Sequence, residues 1–139
     1  MFVFATRLYD LGLKDEASYW YYTTGLRRNV FKETLITDAS SGEYKMALDA
    51  YYKLLGEYIN GYSFGDLDKT IKITNQIIEE SQNLKSFSKL YPNYQFDDSK
   101  LAEAIENSIK DRKELISYIE ENREEIKKAR KENGIENKY

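Results

Sequence analysis

Apolar residues recur at three- and four-residue intervals along most of this chain, the spacing that lines one face of an α-helix. Five helices are predicted, over about 2–11, 15–36, 43–59, 66–84 and 99–131. In the first, Phe2, Ala5, Leu8 and Tyr9 share a face, and Gly12 closes the helix. In the second, Ala17, Trp20, Tyr21, Leu26, Val30, Phe31 and Leu35 form the apolar set, and Asp15 is placed to cap the first turn. Gly25 inside it costs about 1 kcal/mol relative to alanine, which a close helix contact or a kink would explain. In the third helix Met46, Ala47, Ala50, Tyr51, Leu54 and Tyr58 repeat at three- and four-residue intervals. The fourth, capped by Asp66, has Ile71, Asn75 and Ile78 as its stripe, with Leu67 and Ile77 nearby. The last runs through Leu101, Ile105, Ile109, Leu115, Ile119 and Ile126, with room for a break near Lys110-Asp111. Past Tyr118 it is mostly charge, so it is expected to project or to cover the bundle only partly.

The connections carry signals of their own. Thr37 to Gly42 is a polar turn, and Asn60 to Gly65 a compact one in which Tyr62 and Phe64 anchor the chain. Residues 85–98 hold Phe87, Leu90, Tyr91, Tyr94 and Phe96, too many large apolar groups for a free linker, so an ordered loop across the bundle is expected. Thr70 to Thr74 alternates like a strand, but its flanks keep helical spacing. The reading is an all-α fold without a sheet: one domain, 1–139, of about five helices in a compact bundle or hairpin-stacked array, with a long charged C-terminal helix. Its core residues are taken to be Leu8, Ala17, Trp20, Tyr21, Leu54, Ile71, Ile78 and Ile105.

Composition narrows the chemistry. The chain has no cysteine, which removes disulfides, thiolate zinc sites and cysteine nucleophiles. It has no histidine, which removes the usual general base and the commonest metal ligand. A Ser-His-Asp triad and an H-E-x-x-H zinc site are both excluded. Carboxylates, lysine, tyrosine or oxygen-bound magnesium or calcium are what remain. The 21 basic and 24 acidic residues give a net charge of -3, which argues against binding nucleic acid through broad phosphate neutralisation. No apolar run is long enough to span a membrane, and no signal peptide is legible, so a cytoplasmic location without membrane association is expected. Asp66, Asp68 and Asn60 do not fit a calcium loop, and no metal or cofactor is expected. The adjacent pairs Glu79-Glu80, Asp97-Asp98, Glu120-Glu121 and Glu124-Glu125 read as solvated faces rather than acid–base dyads.

The aromatic block from Tyr19 to Tyr22 stands out. A helix turns about 100° per residue, so four consecutive rings cannot all face one core. Trp20 and Tyr21 are assigned to the core, and Tyr19 and Tyr22 to a surface. Arg27 is expected in a structural ion pair, leaving Arg28 for an acidic partner or a phosphate. Binding residues are therefore sought among Tyr19, Tyr22, Arg28, Tyr51, Tyr52, Tyr91 and Tyr94, with acids from Glu79, Glu80, Asp97 and Asp98.

Two resemblances bear on this. Leu11-Gly12 followed by Ala17 and Trp20-Tyr21 resembles a Sel1-like or tetratricopeptide hairpin over about 25 residues, with Gly25 where such repeats usually have alanine, and without a second copy. Trp20-Tyr21-Tyr22-x-x-Gly25-Leu26-Arg27, then Ile59 to Asp66, then Arg112, Ile116, Ile119 and Arg123, is similar to a group of small helical bacterial proteins of unassigned activity. Proteins of that kind often neutralise a toxin encoded nearby. The expectation is a non-catalytic protein that binds a protein partner, most concretely an immunity protein blocking the active site of a cognate toxin. A helical adaptor in a larger assembly and a carboxylate- or metal-dependent enzyme are the alternatives.

Overall fold

The structure, a computed structural model, describes residues 1–135; the end of the expected domain, 136–139, lies outside the described residues. Six α-helices are described: α1 (Phe2–Asp10), α2 (Lys14–Thr34), α3 (Ala39–Ser63), α4 (Leu67–Ser81), α5 (Leu101–Glu121) and α6 (Arg123–Glu132). Two short strands, β1 (Leu35–Ile36) and β2 (Gln95–Phe96), pair antiparallel, Leu35 opposite Phe96 and Ile36 opposite Gln95. The fold is thus all-helical apart from this small sheet, which the helical spacing does not announce. It forms because α2 stops when Leu35 turns extended, and the 82–97 segment returns beside it, with Asp97 N–H donating to the Thr34 carbonyl at 2.7 Å.

Helix α2 is the axis of the domain and packs against α1, α3, α4 and α5. Six consecutive residues, from Tyr21 to Leu26, are buried. A helix buried on every side needs no polar face, and this overturns the assignment of Tyr22 to the surface. Its hydroxyl donates to Asn60 Oδ1 at 2.7 Å, which makes burial of the phenol tolerable. Trp20 is only half-buried at the rim, edge-on to Phe4 and to Tyr19, rather than central.

Much of the packing surface is hydroxylic. Ser18, Thr24, Thr34, Thr70 and Thr74 are buried and donate to carbonyls four residues back on their own helix; the Ser18 hydroxyl also meets that of Ser63 at 2.7 Å and Thr70 reaches the Ser63 carbonyl at 2.6 Å, which ties α2 and α4 to the end of α3. This rotates α4 away from the expected stripe. Leu67, Thr70, Thr74, Ile77, Ile78 and Ser81 face inward, Ile71 is half-buried and Asn75 is exposed. Leu8 and Ile105 are likewise half-buried, whereas Ala17 and Tyr21 are core.

Two glycines let α2 meet its neighbours. A Cβ at Gly25 would lie 2.7 Å from Arg112 Nη2 on α5 and 2.7 Å from the Tyr52 ring on α3. A Cβ at Gly56 would lie 2.7 Å from the Tyr21 hydroxyl. The expected close helix contact at Gly25 is therefore observed.

The boundaries shift for local reasons. Gly12, with φ +81°, ends α1 in a Schellman turn: Leu13 N–H donates to the Leu8 carbonyl, and Gly12 N–H to that of Tyr9. Asp15 does not cap α2. It accepts from Lys69 Nζ and the Tyr62 hydroxyl, both at 2.8 Å, which ties the start of α2 to α3 and α4. Asp38 and Ser41 form a capping box that starts α3 four residues early. Helix α3 runs on through Gly61, so most of the expected 60–65 turn is helical. Asp66 caps α4 as expected, accepting from Lys69 N–H at 3.1 Å. The C-terminal helix breaks at Asn122 rather than near Lys110; Ile119 and Arg130 are buried while most of the remaining described residues past Tyr118 are exposed, so the end covers the bundle only partly.

Candidate functional site

Helix α3 carries two apolar stripes. Tyr44, Leu48, Tyr52, Leu55, Gly56, Ile59 and Ser63 face α2 and the core. The row that the sequence spacing picks out is the outer one: Met46 is 73% exposed, Tyr51 52%, Leu54 58% and Tyr58 59%, with Ala47 and Ala50 exposed between them. Leu54 is therefore surface, not core. Both rows have helical spacing, so periodicity alone could not choose between them. Gly56 chooses, because the Tyr21 phenol can reach α3 only over a residue without a side chain. Together the residues of the outer row form an exposed apolar strip along α3, and the largest apolar patch on a monomer is often functional.

Two carboxylates lie in line with this row. Glu43 and Glu57 stand seven residues either side of Ala50, about two turns in each direction. Both are exposed, and among the described residues neither has an ion pair or hydrogen bond.

Beside α3 a cavity of about 260 Å³ opens between the start of α1, the C-terminal half of α2, the N-terminal half of α3 and the loop at Phe87 and Tyr91. Phe2, Phe31, Leu48 and Phe87 give it apolar walls, and Arg27 and Arg28 give it charge. The two arginines exchange their expected roles. Among the described residues Arg27 has no ion pair; its Nη1 lies 3.7 Å from the Met1 sulfur. Arg28 is held by Asp49 at 3.5 Å and by Asn29 at 3.0 Å, with its guanidinium 3.8 Å from the centre of the Tyr52 ring. Asp49 is chiefly engaged by Lys32, whose Nζ donates to both carboxylate oxygens at 2.8 and 2.7 Å. The Nε atoms of Arg27 and Arg28 are buried without an acceptor.

Of the residues singled out from the sequence, Arg28, Tyr51 and Tyr91 meet at this cavity, and Tyr52 lies behind Arg28. The others disperse. The Tyr19 hydroxyl donates to Glu80, which also accepts from Gln76. Burial, and then the Glu80 carboxylate, push the Tyr19 phenol up, and the same hydrogen bond holds Glu80 below its ordinary range. Tyr91 and Tyr94 stack on one another and pack on Tyr44, in a ring cluster around Phe31 that orders the 82–97 loop as expected. Asp97 accepts from the Ser99 N–H and hydroxyl, and Asp98 accepts from the Ser86 hydroxyl, so both fix local backbone. Glu79 is exposed on α4, apart from the cavity. The four acids therefore do not join the tyrosines in one surface, and Glu43 and Glu57, which no motif marked, stand where an acidic contribution is needed.

Among the described residues no group of three or more acidic side chains is placed to hold a metal ion. No helix among them is long and apolar enough to cross a membrane. No protein family, curated protein or solved structure matches the chain.

Proposed function

We propose that this chain is a non-catalytic protein-binding protein that docks an amphipathic helix of another protein on the outer face of α3. The observation that supports this is the row Met46, Ala50, Tyr51, Leu54 and Tyr58, left uncovered between two unpaired carboxylates. Tyrosine offers large contact area at low entropic cost. A helix laid along α3 would place its own apolar stripe on this row and a lysine or arginine near Glu43 and Glu57.

Charge argues against a second copy of the chain as the occupant. An antiparallel pairing of two α3 helices about Ala50 sets Glu43 of one against Glu57 of the other, at both ends. A parallel pairing sets each acid against itself. Like charges so placed disfavour either arrangement. The row alone also falls short of the ~800 Å² per partner typical of a stable interface, so the partner extends past it.

The most concrete form of this reading is an immunity protein that covers a basic active-site cleft of a toxin encoded by a neighbouring gene. Calorimetry with that gene's product tests it. Tight 1:1 binding is expected, weakened at least ~100-fold by Leu54→Asp and by the double change Glu43→Lys, Glu57→Lys, with protection of cells that express the toxin. Binding without protection would overturn the inhibitor reading in favour of an adaptor. Binding indifferent to these α3 changes would overturn the docking face.

A further inference from the structure

We propose that the cavity between α1, α2, α3 and the Phe87–Tyr91 loop is a binding site for a small carboxylic acid with an apolar body, a medium-chain or aryl carboxylate. This rests on the cavity itself and not on the docking face of α3.

Its volume of about 260 Å³ lies just below the usual range for small-molecule pockets, and its walls are rings and aliphatic carbons from four segments of chain. Such a space favours a compact apolar body over a polar metabolite. Two cations interrupt this apolar lining. Arg27 has no carboxylate within ion-pairing distance among the described residues, and Arg28 shares Asp49 with a lysine that holds both of its oxygens. A guanidinium presents its donors in a fork that matches the two oxygens of a carboxylate. An acid head group placed between α1 and Arg27 would meet the terminal N–H groups of Arg27, while the chain or ring behind it fills the space against Phe31 and Phe87. The balance of charge suits a monoanion: Arg27 feels the Glu80 carboxylate only from beyond ion-pairing distance, and Arg28 is already partly neutralised by Asp49.

The test is calorimetric titration of the full chain with octanoate, followed by the same titration with 1-octanol. Octanoate is expected to bind 1:1, and the alcohol at least tenfold more weakly because it cannot engage Arg27. Arg27→Gln should cost octanoate about tenfold in affinity and leave the octanol titration unchanged. Ala47→Phe, a change at an exposed helical position on the mouth of the cavity, should abolish both. Leu54→Asp, on the α3 row away from the cavity, should change neither, which separates this site from the protein-docking face. Failure of the unaltered chain to bind octanoate at millimolar concentration overturns the proposal. So does equal binding of acid and alcohol, and so does binding that survives Ala47→Phe.

Discussion

The Tyr21 hydroxyl donates to the Tyr52 carbonyl oxygen at 2.9 Å, while the two rings lie stacked with centroids 5.1 Å apart. One residue of α2 thus holds one residue of α3 both by its ring and through its backbone, and Gly56 supplies the room. Adding a methyl group at Gly56 should therefore destabilise the domain by about 1–3 kcal/mol, as overpacking does. In a Tyr21→Phe background the obstructing oxygen is gone, and Gly56→Ala should become neutral or stabilising, because alanine is the better helix former. Urea unfolding of the two single variants and the double variant checks the coupling. Strictly additive effects would show that the Tyr21 phenol does not lie over Gly56.

The two rows of α3 give a contrast between leucines. Leu26 is fully buried in α2, and Leu26→Ala should cost about 2–5 kcal/mol. Leu54→Ala should stay within about 0.5 kcal/mol, as surface changes do. Comparable losses at both positions would mean that α3 is rotated from the orientation described.

Arg112 is buried on α5, and its Nε has no acceptor. Among the described residues it has no ion pair. A buried cation without a carboxylate carries its desolvation cost uncompensated. Arg112→Met keeps the length and the contact over Gly25 and should be neutral or raise stability by about 1 kcal/mol. A large loss on urea unfolding would show that the cation is held by its neighbours more strongly than its surroundings indicate.

Burial pushes the Tyr22 phenol up to about 12 and raises Tyr21 and Tyr44 as well. An unfolded tyrosine titrates near pH 10. Below that pH both states hold the proton, and the stabilisation is complete. Above it the unfolded chain releases protons that the folded chain keeps, so stability falls from about pH 10 upward. Tyrosinate absorbance followed alongside ellipticity should show these phenols ionising only as the helices unfold. Full ionisation at pH 10 with the helices intact would contradict their burial.

The sequence disclosed the helices better than it disclosed their orientation. Gly12, Asp66 and Gly25 were readable because each answers a local need: a left-handed turn, a cap, a close approach. The inward face of α3 was not, because Leu48, Tyr52, Leu55 and Ile59 repeat as regularly as the row containing Leu54 and Tyr58. Only a long-range contact, that of Tyr21 with Gly56, selects between them. The inward face of α4 was missed because Thr70 and Thr74 count as polar until their hydroxyls turn back on their own helix. Tyr22 reads as a surface residue if four successive aromatics share one core face, whereas α2 is enclosed from several directions. The cavity joins residues from four separate segments, and the doublet Arg27-Arg28 was its one visible sign. Which member would stay unpaired depended on Asp49, on another helix.

The enclosure of α2 also governs the order in which the protein can be completed. Helix α1 and the turn at Gly12 are at hand as soon as α2 leaves the ribosome, but α5, which closes over Gly25 with Arg112, is made only after α3, α4 and the 82–97 segment. Until then the most enclosed helix of the domain has an uncovered side. The nascent chain therefore passes through a sticky interval that ends only when α5 arrives, and a product truncated before Leu101 would remain in that interval.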